Sequence, residues 1–381
     1  MQSDMILRVG VVGSGNISAA YMRNSALFSG AVITACSDLV QENARRRAEE
    51  FGLRAMSVDA LLSDPEIDLV LNLTVPAAHF DVSLSALSAG KHVFTEKPLA
   101  TTFGDGKRLV EEAEKRNLLI GSAPDTFLGA AGRRARALID EGMIGRPVAG
   151  TAFMLGRGME HWHQAPQFYY QRGAGPMFDM GPYYLTMLVN LLGPIARVQA
   201  VATKGQEERL ISAEGPFKNT RFPVETPTTL LTLLEFRSGA VVTFGASWDV
   251  FRHSNHPIEL HGTAGSLRLP DPDTFGGTVS LSRMGEDWID FPSDSEPFGA
   301  INFPFATPRK ANYRFLGIAE LADALREGRQ PRASGRLALH VLDAMEGILT
   351  SSEQRASVGI ESMVERPEFL VTEYAAALCR P

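Results

Sequence analysis

Three stretches of the chain place polar groups where they can hold and transform a small molecule. The segment Gly13-Ser14-Gly15-Asn16-Ile17-Ser18 follows the apolar run Arg8-Val9-Gly10-Val11-Val12 and precedes a helical pattern. Gly13 permits a tight turn, Gly15 lets backbone approach a pyrophosphate, and the free amides and positive end of the next helix attract phosphate charge. Ser18 stands where a third glycine is usual, a small residue at a position that governs helix packing. About twenty residues on, Asp38 ends a second apolar strand, where a carboxylate can bind both ribose hydroxyls. It repels a 2'-phosphate, and Leu39, Val40 and Gln41 provide no cation, so NAD is favoured over NADP unless Arg45 swings in. The plainer readings are a glycine turn without a cofactor and an Asp38 that only caps the next helix.

Glu96-Lys97-Pro98 closes another apolar strand at the same sheet edge, and the third stretch, Glu160-His161-Trp162-His163 with Pro166-Gln167-Phe168-Tyr169-Tyr170, is dense in amphipathic rings and donors. Aromatic faces stack on the C–H faces of sugar rings while histidine and glutamine bond hydroxyls. His161, Trp162, His163 and Tyr169 are therefore candidate substrate contacts. His161 and His163 lack a patterned third ligand, so no metal is expected.

Strand and helix patterns alternate through the first third: strands over 6–12, 32–37, 69–73, 92–95 and 118–122, with helices from 17, over 41–51, after 76 and over 104–116. That rhythm predicts a parallel sheet covered by helices. Beyond residue 125 the pattern becomes α+β, with one helix over 133–141, strands over 148–155, 197–203, 228–236, 240–248, 258–261 and 266–269, and helices over 185–192, 312–327 and 338–351. The expected division is a dinucleotide-binding domain over 1–125 and a substrate domain with a large open, mainly antiparallel sheet over 126–381, each with its own core.

With 381 residues, 44% hydrophobic and 21% charged, the chain has globular composition, and a net charge of -7 without a basic block excludes nucleic acid as a partner. The Arg45-Arg46-Arg47 cluster reads as a solvated helix face. Cys36 and Cys379 build no disulfide framework. No run approaches the ~20 apolar residues of a membrane span, and the first residues pass directly into a strand, so the expected location is the cytoplasm.

Thr74-Val75-Pro76-Ala77-Ala78-His79, Glu96-Lys97-Pro98 and Asp179-Met180-Gly181-Pro182-Tyr183 together resemble the glucose-fructose oxidoreductase, inositol dehydrogenase and rhizopine-catabolism family (Gfo/Idh/MocA). The resemblance implies a Rossmann domain fused to an open sheet that commonly forms a dimer or tetramer contact. It also implies cofactor contacts at Gly13, Ser14, Gly15, Asn16, Ile17, Asp38, Thr74, Pro76, His79, Glu96 and Lys97. Lys97 becomes the family's active-site lysine, able to stabilise a developing alkoxide, with its pKa depressed by burial and oxidised cofactor. Tyr183 takes the place of the family histidine; Lys97 and Tyr183 then share the departing proton while Asp179 orients a substrate hydroxyl. Asp179 as the proton carrier, with Tyr183 as a wall packed at a helix start, is the other reading. Ala123-Pro124-Asp125-Thr126-Phe127-Leu128 departs from the family's arginine-bearing stretch, which favours a neutral substrate unless Arg157 or Arg172 compensates.

The activity implied is hydride transfer between NAD and a ring hydroxyl or carbonyl of a sugar, cyclitol or sugar derivative. The rivals are a glycoside-cleaving enzyme that keeps NAD bound and oxidises transiently, and a non-catalytic cofactor-binding regulator, suggested by Tyr183.

Overall fold

The computed structural model describes residues 6–303 and 309–380. The first five residues, part of the segment on which the cytoplasmic expectation rests, lie outside them. Six strands, β1 (Leu7–Val12), β2 (Ala31–Ser37), β3 (Arg54–Met56), β4 (Leu69–Asn72), β5 (His92–Thr95) and β6 (Ile120–Ser122), form a parallel sheet in the order β3-β2-β1-β4-β5-β6. β4 is buried along its whole length, as a central strand covered on both faces should be. Helices α1 (Ser18–Ser25), α2 (Gln41–Phe51), α3 (Val58–Ser63), α4 (Pro76–Ser88) and α5 (Phe103–Lys115) make the connections. The chain order reverses between β1 and β4, and such a switch point opens a crevice at the strands' C-terminal ends. β3 and α3 are absent from the sequence expectation because β3 is only three residues, two of them exposed, with no apolar run.

After α6 (Ala130–Asp140), β7 (Pro147–Leu155) and α7 (Gly175–Leu192), the strands β8 (Ile195–Thr203), β9 (Glu208–Leu210), β10 (Arg221–Pro223), β11 (Thr229–Phe236), β12 (Val241–Ser247), β13 (Ile258–Gly262), β14 (Gly265–Leu269), β15 (Thr278–Arg283) and β16 (Ile289–Pro292) follow. The chain closes with α8 (Leu316–Glu327), α9 (Gly335–Gln354), β17 (Val358–Gly359) and α10 (Thr372–Ala377). A nine-stranded sheet runs β16-β15-β14-β13-β7-β12-β11-β8-β17, antiparallel except for the β7–β12 pair. Along β11, Leu230, Thr232, Leu234 and Phe236 point inward while Leu231 and Leu233 point out. The period of two thus leaves an apolar outer face, which includes Val201 at 69% exposure.

Two expectations need correcting. The helix expected over 185–192 begins ten residues earlier, at Gly175, with Pro176 in its first turn and Pro182 inside it. Proline suits a helix start, and an internal one removes a single backbone hydrogen bond that the buried surroundings of α7 offset. Asp179 and Tyr183 therefore sit within a helix, one turn apart. Nor are there two comparable cores. One continuous core joins both sheets, because α9 packs on α5, α7 and β8, and a small second cluster of Tyr170, Ile211, Ala213, Phe222, Val224 and Trp248 lies under the 156–174 segment. The C-terminal helices return to the first sheet, where the Ser122 amide donates to the Ala333 carbonyl at 3.0 Å.

Candidate active site

Gly13 has φ +101°, and a Cβ there would lie 2.6 Å from the Leu73 carbonyl, so only glycine fits. At Gly15 a Cβ would meet nothing within 4 Å, which leaves open space above the turn for an approaching diphosphate. Ser18 donates its hydroxyl to the Gly15 carbonyl at 2.6 Å and so closes the loop onto α1. Asp38 accepts the Ser14 amide at 2.8 Å with one oxygen and the Val40 amide at 2.8 Å with the other. It thereby ties the turn to the start of α2 while staying half-exposed beside it. These residues fit a dinucleotide.

The arginine cluster departs from expectation. Arg45 faces solvent near Glu42, but Arg47 folds over the turn, donating to the Gly15 carbonyl at 3.3 Å and pairing with Glu50 at 2.5 Å. The short α2 turns Ala44, Ala48 and Phe51 toward the core, and Arg47 borders that face, so its stem is covered.

Beyond β4, Thr74 bonds the Asn72 side chain at 2.7 Å, and both ring nitrogens of buried His79 face carbonyls, Pro98 at 2.7 Å and Thr74 at 3.0 Å. His79 thus fastens the loop after β4 to the loop after β5. Burial lowers its pKa against the pull of those carbonyls. Glu96 is likewise committed, accepting the Tyr21 hydroxyl at 2.8 Å and the Lys97 amide at 3.1 Å.

Lys97 reaches across to α7, with its Nζ 2.5 Å from the Asp179 carbonyl and 3.1 Å from the Asp179 carboxylate, and it lies 5.3 Å from the Tyr183 ring centre. The expected depression of its pKa is reversed. Burial, the largest single influence, does pull it down, but Asp179, Tyr183 and Glu96 together outweigh burial and hold the ammonium charged. Tyr183 is also raised, because burial opposes the phenolate more than Arg314 and Lys97 favour it. Its oxygen accepts a hydrogen bond from Arg314 at 3.0 Å.

That arginine was not legible in the sequence. Arg314 is buried just before α8, within the span expected to be helical, and is paired at 2.8 Å with Asp273, which also meets Lys310 at 2.7 Å. Asp125, in the stretch that departs from the family pattern, is buried too and accepts the Gly317 amide at 2.8 Å. Burial lifts its pKa to about 6. No local pattern marks residues that meet across nearly two hundred positions.

Lys97, Asp179, Pro76, Phe168 and Tyr169 line a cleft of about 430 Å³. His161 and Trp162 do not join them; they line a separate concavity of about 680 Å³. His163 packs edge-on against Trp162, Phe168 and Tyr169, with ring centres 5.4–5.5 Å apart, and forms the partition. Among the described residues no group of three or more His, Cys, Asp or Glu side chains is placed to hold a metal, and no helix is long and apolar enough to cross a membrane.

Residues 7–123 match the oxidoreductase family with an NAD-binding Rossmann fold, and residues 133–268 match the GFO/IDH/MocA C-terminal domain. The chain belongs to the Gfo/Idh/MocA oxidoreductases. Among its relatives in this family, levoglucosan dehydrogenase of Pseudarthrobacter phenanthrenivorans is 26% identical over 68% of this chain and 73% of that one. The 1,5-anhydro-D-fructose reductase of Ensifer adhaerens is 27% identical over 86% of this chain and 91% of that one. Among solved structures, levoglucosan dehydrogenase in complex with NADH superposes with a TM-score of 0.80 at 22% identity, covering 94% of this chain and all of the other.

Proposed function

We propose that this Gfo/Idh/MocA oxidoreductase interconverts a ring hydroxyl and the matching carbonyl of a sugar, cyclitol or sugar derivative, with NAD as the hydride acceptor. The observation that carries this reading is the Lys97 ammonium, held charged 3.1 Å from the Asp179 carboxylate at a cleft that Pro76, at the start of α4, also lines. Bound nicotinamide would supply the hydride acceptor; Gly13, Ser14, Gly15, Asn16 and Ile17 would face its diphosphate and Asp38 its ribose. The carboxylate at Asp38, with Arg47 already paired to Glu50, supports NAD over NADP.

Lys97 stabilises the developing alkoxide, which an ammonium fixed at the wall of a cleft does well. Asp179, in direct contact with that ammonium, receives the hydroxyl proton. Tyr183 packs beneath Lys97 and, with its oxygen engaged by Arg314, serves as a wall that positions the pair. This revises the Lys97–Tyr183 proton pair expected from the sequence. The kinship to enzymes named for an anhydrosugar and an anhydrofructose supports a ring substrate.

The apolar outer face of the nine-stranded sheet supports a homodimer or homotetramer, since an open face of this kind is covered in solution. The cytoplasm is the proposed location. The test is NADH formation over a panel of sugars, inositols and anhydrosugars. Net formation that tracks substrate supports the reading. Product release from glycosides without any net NADH would replace it with transient oxidation on bound NAD, and NADH binding without turnover of any kind would leave a regulator.

A further inference from the structure

The turn that leads into α7 borders the Lys97 cleft and carries a charge that the hydride chemistry does not use. Gln171, Arg172, Gly173, Ala174 and Gly175 all line the cleft. The Ala174 amide donates to the Gln171 carbonyl at 3.1 Å, closing a β-turn with Arg172 at its second position and Gly173, at φ +78°, at its third. That turn is fastened at both ends. The Tyr170 carbonyl accepts the Glu225 amide at 2.8 Å, the Thr226 hydroxyl donates to the Ala174 carbonyl at 3.3 Å, and a Cβ on Gly175 would lie 3.0 Å from the Pro227 carbonyl oxygen. The backbone of Arg172 is therefore fixed at the cleft.

Its exposed side chain is free by comparison: among the described residues Arg172 has no side-chain hydrogen bond, ion pair or ring contact. Neighbouring arginines are committed elsewhere, Arg47 to Glu50 and Arg314 to Asp273 and the Tyr183 oxygen. Arg157, the other arginine that the sequence offers for an anionic substrate, lies 5.9 Å from the Phe251 ring centre and lines the separate concavity. Within the cleft the Lys97 ammonium and the Asp179 carboxylate offset each other at 3.1 Å, and the remaining lining apart from Arg172 is uncharged. The balance is one positive charge. A guanidinium presents paired donors that match a carboxylate in two parallel hydrogen bonds. A volume of 430 Å³ corresponds to a width of about 9 Å, so one bound ring can meet Lys97 and extend a substituent toward Arg172. A phosphate dianion suits this balance less well, because its second charge would meet no further uncommitted cation among the described residues of the lining.

We propose that Arg172 is a specificity-determining residue that pairs with a carboxylate on the substrate, so that the enzyme prefers sugar acids such as uronates over their neutral counterparts. The reaction performed on that substrate rests on the sugar-oxidoreductase reading above; the recognition of its charge is measured apart from it.

The test compares glucuronate with glucose, galacturonate with galactose and mannuronate with mannose, together with the matching hexose phosphates, on the full-length protein. Two quantities are read: kcat/KM for NADH formation, and the dissociation constant from the NADH-loaded protein by calorimetry. In at least one pair the uronate is expected to be favoured about tenfold or more in both, the scale of a hydrogen-bonded charge pair. Arg172→Met should bring that ratio to about one, chiefly through KM, whereas Arg172→Lys keeps the charge without the paired donors and should retain part of it. Each ratio is taken within one variant, so a smaller folded fraction leaves it unchanged. A wild-type ratio near one in every pair, a ratio that survives Arg172→Met, or a hexose phosphate preferred over its uronate overturns the carboxylate site. Uronate binding that depends on Arg172, with no NADH formed from any sugar, overturns the oxidoreductase reading and keeps the site. NADH formed equally well from acids and neutral sugars does the reverse.

Discussion

At the scale of single residues, the ammonium of Lys97 and the carboxylate of Asp179 form one unit, and Tyr183 stands behind them with its oxygen turned to Arg314. Lys97→Met and Asp179→Asn are each expected to lower kcat by about 10²- to 10⁴-fold, the range for loss of a proton-transfer partner. Tyr183→Phe keeps the ring beneath Lys97 and should cost less than tenfold; steady-state kinetics showing the opposite ranking would return the proton to Tyr183. Asp125 provides a separate check through stability. Its carboxyl, buried beside Glu96 and only partly relieved by the Gly317 amide and Arg314, titrates near 6 in the fold instead of near 3.8. A carboxyl raised in this way favours the fold fully below about pH 4, and that contribution is lost as pH rises through about 6. Asp125→Asn keeps an acceptor for Gly317 and removes the charge. Its melting temperature should therefore gain on wild type between pH 4 and pH 7, by an amount worth on the order of 1 to 3 kcal/mol. A difference that does not change with pH sinks the assignment.

At the scale of elements, the 156–174 segment is held by ions as well as by its small aromatic cluster. Arg209 is buried between Glu160, at 2.7 Å, and Asp249, which also accepts the Thr228 and Thr229 hydroxyls at 2.7 and 2.6 Å. Removing one partner of such a buried cluster leaves uncompensated charge and typically costs about 3–5 kcal/mol. Arg209→Met should consequently loosen the segment that carries Phe168 and Tyr169, raising KM for the sugar more than it lowers kcat. Limited proteolysis should then cut within 156–174; an unchanged KM and an uncut segment would mean the cluster plays no part in shaping the cleft. Much at this scale was legible. The glycine turn, the carboxylate at Asp38 and the strand ending at Lys97 are local patterns, because turn geometry and strand burial are decided by neighbours in sequence. The helical setting of Asp179 and Tyr183 was not, since Pro182 reads as a breaker wherever the surrounding burial is unknown.

At the scale of the whole molecule, the nine-stranded sheet covers one face with α7 and α9 and leaves Val201, Leu231 and Leu233 outward. Leu231→Arg and Leu233→Arg together are expected to convert the proposed oligomer to monomers in light scattering with little change in melting of the isolated chain. A wild type that is already monomeric removes the premise. The C-terminal tail crosses back over the first sheet, with the Arg380 amide donating to Leu27 at 2.9 Å and Ser29 to Leu378 at 2.8 Å, so the two halves share one continuous core.

By itself the sequence determined the nucleotide turn, the alternation of strands and helices, the lysine at the sheet edge and the family, all of which depend on contacts within a few residues. Only the tertiary structure decided that Arg314 engages Tyr183, that Asp125 is buried against Gly317, that Lys97 is held charged by Asp179, and that His161 and Trp162 face a different concavity. Each of these joins distant parts of the chain. Burial and the field of neighbouring charges, which set such groups' partners and pKa values, exist only once those parts are packed.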